Sequence, residues 1–253
     1  QGLEAAGYEV SRKLSLGNEN AAQKALQSGD VDGYPEYTGT ALLSLCGIDG
    51  ADVPKDPAQA YEDARKCFAD KALTAYPPTP FTSSNEVAVT QQVADSHGLQ
   101  QISDLAKVDD QFTLFGSPEC GGRTDCLKGL QNVYGLKFKR FSQVSVDERH
   151  SVLDRGDNIA SIVFTTDPQN RRSGIVLLED DKGMFPPNNS TFVVRDEVAA
   201  KAGGDLERVI GLLQTGLTDE VMQELNARVD IDQESPGAVA RAYLQQARLI
   251  AGH

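Results

Sequence analysis

The chain has no tryptophan and only two methionines among its 253 residues. It has no run of about 18 apolar residues, so nothing in it reads as a membrane-spanning helix. Positive charge is in deficit: 24 Lys and Arg stand against 37 Asp and Glu, a formal charge of −13. Such a surface repels nucleic acid and anionic lipid, so neither is an expected partner. It mildly favours the approach of cationic solutes, although solubility alone also accounts for it. There is no Gly-x-Gly-x-x-Gly, no Walker loop, no Gly-x-Ser-x-Gly, no His-Glu-x-x-His and no EF-hand spacing. The three histidines, His97, His150 and His253, are scattered. Nothing nominates a nucleophile with its base, a metal set or a cofactor loop. The expectation is a protein that is not an enzyme and carries neither metal nor cofactor.

What is present describes an ordinary globular chain, 40% hydrophobic and 24% charged. The length suits one large domain or two lobes of about 100–150 residues each. Four cysteines fall in two suggestive places. Cys120 and Cys126 flank the flexible run Gly121-Gly122-Arg123-Thr124-Asp125, which is short enough to close; Cys46 follows one expected helix and Cys67 lies in another. Two disulfides, Cys46–Cys67 and Cys120–Cys126, are the favoured reading. Free thiols are the alternative, and zinc ligation would want tighter pairing or nearby histidines. Disulfides would place the chain outside the cytoplasm.

Hydrophobic periodicity sets out the elements. Strands are expected at 8–16, 73–76, 86–89, 113–115, 137–141, 160–164, 175–178 and 191–194. Helices are expected at 20–28, 56–71, 91–96, 124–134 and 146–155, with a mostly helical tail from Glu197. The opening residues look like the last turn of a helix stopped at Gly7, so a segment is expected to precede them. Strands alternating with helices give an α/β protein with parallel-rich sheets. The breaker-rich stretches 77–84 and 186–190 are the best crossing points. They divide the chain into 1–84 with 191–253, and 85–190.

The most informative stretch is Ser28-Gly29-Asp30-Val31-Asp32-Gly33-Tyr34-Pro35-Glu36-Tyr37-Thr38-Gly39-Thr40. Gly29 suits a helix end and Val31 to Tyr34 a strand. Thr38-Gly39-Thr40 opens a helical run at Ala41. A phenol (Tyr37), a carboxylate (Glu36) and the hydroxyls of Thr38 and Thr40 thus gather where backbone N–H groups are free. The plain alternative is a polar loop with a capping threonine.

This wording closely resembles the signature of the glycine betaine/choline-type solute-binding proteins of osmoprotectant ABC importers. Further matches follow in order. They are Ile102-Ser103-Asp104-Leu105; then Arg123, Cys126-Leu127-x-Gly129-Leu130 and Tyr134-Gly135; then Phe164-Thr165-Thr166-Asp167. After these come Leu177-x-Glu179-Asp180-Asp181-Lys182-x-x-Phe185-Pro186-Pro187, and finally Leu217-Thr218 to Met222, Leu225-Asn226 and Val229-Asp230.

The resemblance implies a bilobal type II periplasmic-binding-protein fold whose two lobes, joined by two hinge crossings, close on a small solute. It implies a monomer that hands the solute to the transmembrane subunits of an ABC permease, on the periplasmic side or at the cell surface, and attached by a lipid through a preceding segment. It also implies ligand groups: Tyr37 and Phe164 as walls of an aromatic cage, with Glu36, Thr38, Asn85, Thr165, Thr166 and Asp167 beside them. At two positions where many relatives carry tyrosine this chain departs. It has Glu86, after Asn85, and Asn188 after the prolines. The expected site is therefore more polar than a betaine cage. An effector domain of a regulator with the same fold is the rival reading, and a catalytic relative is a third.

Overall fold

The computed structural model describes residues 1–251; His253, one of the three histidines, lies outside them. The chain divides into two compact units. The first comprises Gln1–Ile48, Pro54–Ser83 and the chain from Pro187 onward; the second comprises Asp49–Val53 and Ser84–Pro186. Among the described residues eight strands are formed: β1 (Gly33–Tyr37), β2 (Leu73–Ala75), β3 (Asn85–Thr90), β4 (Thr113–Gly116), β5 (Arg140–Gln143), β6 (Ile159–Phe164), β7 (Ile175–Leu178) and β8 (Ser190–Arg195).

The first unit is built on a three-stranded sheet in the order β1-β8-β2. Both pairings are antiparallel, with Pro35 opposite Phe192 and Thr74 opposite Val194. The parallel-rich sheet expected from the strand–helix alternation is therefore corrected here. β1 and β2 do run the same way, as a helical crossover requires, but β8 returns from the far end of the chain and inserts between them. Pro35 is tolerated because β1 pairs on one side only. Gly33 is needed because a Cβ there would lie 3.0 Å from the Val193 carbonyl oxygen and closer still to two side chains. Helices Glu19–Gln27 and Pro57–Ala69 begin at Asn18 and Asp56, whose side chains accept from Ala21 N and Gln59 N. Cys67, in the second of these, is bonded to Cys46 at the end of the π-turn Ala41–Leu45. Tyr76, Val194, Leu206 and Ile210 pack as a core in which helix Gly204–Gln214 covers the sheet.

The second unit carries a five-stranded sheet in the order β5-β4-β6-β3-β7. β4 pairs in parallel with β5 and β6, whereas β3 runs antiparallel to β6 and β7. Central β6 is buried along five of its six residues, so its side chains serve two cores. Ala160 and Ile162 join Val87, Val89, Leu114, Leu130 and Leu178 on one face. Ile159 and Val163 join Ala88 and Leu153 on the other. Cys120 and Cys126 are bonded, closing the loop ahead of helix Leu127–Val133. Gly129 lets that loop lie on the helix: a Cβ there would meet Thr124 O at 2.0 Å.

Three further expectations differ. The alternating stretch 8–16 forms no strand; it has no sheet to join, and Leu14 is 79% exposed. The helix expected at 146–155 is two short 3-10 turns, Val146–Glu148 and Ser151–Arg155, broken at Arg149 and His150. The strand expected at 137–141 starts only at Arg140, since Lys137 N is taken by the Asp109 carboxylate.

Candidate functional site

In the second unit, the registers make β4, β5, β6 and β7 run one way. They finish at Gly116, Gln143, Phe164 and Leu178, at the end where β3 begins with Asn85 and Glu86. Open α/β sheets bind ligands at such carboxyl ends. Asn85 and Glu86 are consecutive in a strand, so they leave by opposite faces. Asn85 Nδ2 donates to Asp125 O at 2.8 Å, and the Asp125 carboxylate in turn holds Arg123 through two bonds of 2.7 Å. Glu86 lies opposite Val163, on the face of Ala88.

The turn after β6 is tied down. Thr165 N donates to Ser84 O at 3.0 Å, and Ser84 N to Thr165 Oγ1 at 3.1 Å. Thr166 is buried, and so is Asp167 at 3% exposure. Asp167 Oδ2 accepts from Phe164 N at 2.9 Å and from Arg149 Nε at 2.6 Å, while Oδ1 accepts from Arg149 Nη2. This is a forked, buried ion pair. The Arg149 guanidinium also lies over the Phe164 ring, 4.4 Å from its centroid. One ring face thus already carries a cation, and a solute ammonium could use only the other.

His150 Nε2 meets Asn170 Oδ1 at 2.9 Å, and burial lowers its pKa despite Asp167 nearby. Glu86 is the exception among these groups. Its Oε2 is buried and has no hydrogen-bond partner among the described residues; burial first, and the Asp167 charge second, push the carboxyl up to about 7. Ser161 Oγ, on the same face at the position opposite Ala88, is likewise buried and unpartnered.

The first unit presents a different arrangement at the end where β1 and β2 finish and β8 begins. Glu36 is 3% exposed; it accepts from Tyr34 OH at 2.9 Å and from Tyr37 N at 2.7 Å. Thr38 is fully buried, donating from N to Asn189 O at 3.0 Å and accepting from Asn189 N at Oγ1 at 3.2 Å. Asn188 uses both ends of its amide. Oδ1 accepts from Thr40 N at 3.0 Å, and Nδ2 donates to Ser83 O at 3.0 Å. Tyr37 is half-buried, and burial with the neighbouring Glu36 raises its pKa, so the phenol keeps its proton.

The ten sequence-derived positions thus gather at two strand ends, one in each unit. Sequence reasoning missed Arg149, Tyr34, Asn189 and Ser161. Tyr34 was within reach, since Tyr34-x-Glu36 has the period of one strand face. Arg149 sits in a run that reads as a solvated helix and gave no signal.

Two α/β units, each with aromatic, hydroxyl and carboxylate groups at its strand ends, have the build of periplasmic solute-binding proteins. The chain belongs to the family described as the substrate binding domain of ABC-type glycine betaine transport systems, which matches residues 1–246. Among its relatives is a glycine-betaine-binding protein of Pseudomonas aeruginosa, 32% identical over 99% of this chain and 82% of that protein. Another is the ergothioneine transport permease/ergothioneine binding protein EgtU of Helicobacter pylori. It is 29% identical over 96% of this chain, which spans 43% of that longer protein. In fold the chain is similar to the crystal structure of a glycine betaine/carnitine/choline ABC transporter protein, with a TM-score of 0.71 at 24% identity, over 92% of this chain and 85% of the other. Family members are extracytoplasmic binding proteins that work with permease subunits, not enzymes. The rival reading, an effector domain of a regulator, finds no support in them.

Proposed function

We propose that this protein binds a small zwitterionic or cationic solute of the quaternary-amine class and delivers it to its permease. Tyr37, Glu86 and Phe164 are the groups that touch the solute. Glu36, Thr38, Asn85, Thr165, Asp167 and Asn188 act as positioning residues, because their polar groups are already bonded within their own units, and so does the buried Thr166. The single observation that supports this best is Tyr37, a half-buried protonated phenol at the end of β1, directly before a helical start. An aromatic face attracts an ammonium group, and a desolvated contact of this kind is worth about 2 kcal/mol.

The protein acts as a monomer and is attached to the cell surface by a lipid; sedimentation and metabolic lipid labelling test these two points. For the solute, calorimetry with glycine betaine, choline, carnitine and ergothioneine is the direct experiment. Tyr37→Ala is expected to weaken the best of them by more than about tenfold with its melting temperature preserved. Undiminished affinity in that variant would remove Tyr37 from the site.

A further inference from the structure

Among the described residues, the Glu86 carboxyl is the one acidic group at the strand ends of the second unit with a buried oxygen that has no hydrogen-bond partner. The neighbouring groups are already committed. Both oxygens of Asp167 are held by Arg149 and Phe164 N, and Arg149 Nη1 donates to Val146 O at 2.6 Å. Asn85, its neighbour in β3, points away to Asp125. On the Glu86 face the residue opposite is Val163, which has no side-chain donor; the Ser161 hydroxyl, one pair further along and opposite Ala88, is itself buried and makes no bond to Glu86 among the described residues. Buried polar atoms in folded proteins are nearly always paired, and an orphan asks for an explanation. This one stands on the second residue of β3, at the end where four strands finish.

We propose that Glu86 determines solute specificity by accepting a hydrogen bond from an N–H or O–H group of the solute. The inference rests on the solute-binding reading above and deepens it. A fully methylated ammonium has no donor, so a simple betaine leaves the Glu86 oxygen unsatisfied. A solute of the same class that carries a hydroxyl or an N–H heterocycle satisfies it. Because an unmade buried hydrogen bond is penalised more than a made one is rewarded, the discrimination is large, of the order of tenfold to a hundredfold.

The test is a calorimetric ratio at fixed pH, taken on the whole protein. Three probes share a trimethylammonium and a carboxylate: glycine betaine has no further donor, carnitine has a hydroxyl, and ergothioneine has a ring N–H. Wild type is expected to prefer ergothioneine or carnitine over glycine betaine by at least about tenfold. Glu86→Leu is expected to weaken the preferred probe and compress that ratio to within about threefold. Glu86→Gln, which still offers an acceptor oxygen, is expected to keep most of the preference; it also covers the case in which Glu86→Leu fails to fold. A ratio that survives Glu86→Leu, or a wild type that prefers glycine betaine, overturns the inference and leaves the binding function standing. Failure of all three probes to bind wild type overturns both.

Discussion

The strand ends of the two units solve the same problem with different chemistry. In the first unit most contacts are neutral. Thr38, Asn188 and Asn189 knit β1 to the start of β8 through amides and hydroxyls, and the one carboxylate, Glu36, is held by a phenol and a backbone N–H. In the second unit the turn after β6 is fixed by an ion pair, and an acid beside it is unsatisfied. Neutral hydrogen bonds hold geometry over a wide pH range. Buried charges hold it only while both partners remain. The second unit is therefore where charge and pH act, whereas the first holds Tyr37 on a scaffold of neutral bonds.

The sharpest way to break that contrast is to remove one charge. Asp167→Ala leaves the Arg149 side chain, 12% exposed, without its counter-ion. The expected cost is about 3–5 kcal/mol, read as a lowered urea midpoint, with the turn at Thr165–Asp167 losing amide protection. A cost below about 1 kcal/mol would mean that the pair behaves as a surface contact.

The disulfides, one in each unit, come next. Cys46–Cys67 spans 21 positions and Cys120–Cys126 only 6. Loop-closure entropy then gives about 3 kcal/mol for the first and about 2 kcal/mol for the second. Paired Cys→Ser variants compared by chemical denaturation should keep that order, so here the first unit is the one that loses more.

A smaller effect belongs to pH. The Glu86 carboxyl, pushed up to about 7 against an ordinary 4.5, holds its proton more tightly in the folded chain than in the unfolded one. The stability this confers is complete below about 4.5 and is lost as pH rises through about 7. Glu86→Gln should match wild type near pH 4 and exceed it at pH 8 by about 1–2 kcal/mol, after discounting for partial exposure. A stability gap that does not change with pH would show that the carboxyl titrates normally.

An effect of similar size, but independent of pH, is expected at Asn188→Ala, which removes two neutral bonds. It should cost about 1–2 kcal/mol at any pH between 5 and 8.

Much of this was legible in the sequence. Asp56-Pro57 announced its helix by cap and first-turn chemistry, and Ile175–Leu178 is the strand that its apolar run foretold. The motif around Tyr37 placed one strand end, and Phe164-Thr165-Thr166-Asp167 the other. What failed was non-local. The stretch 8–16 alternates correctly, but a strand needs a neighbour, and periodicity cannot supply one. The run 146–155 has helical spacing, yet Arg149 is drawn off to Asp167, 18 positions away, and the helix breaks there. The direction of β8 depends on where the chain returns, which no local pattern encodes. The same holds for the side chains. Glu36, Thr38 and Asn188 read as ligand groups by type, and only their partners reveal that each is spent within its own unit.

The roles given to both units depend on the capture of a quaternary-amine solute by this protein. Isothermal titration of the intact, disulfide-bonded chain at pH 7 with glycine betaine, choline, carnitine and ergothioneine tests it most directly. One solute per chain is expected, with a dissociation constant on the order of micromolar or tighter for at least one of them. Absence of binding heat, together with an unmoved melting temperature at millimolar concentrations of all four, would contradict it.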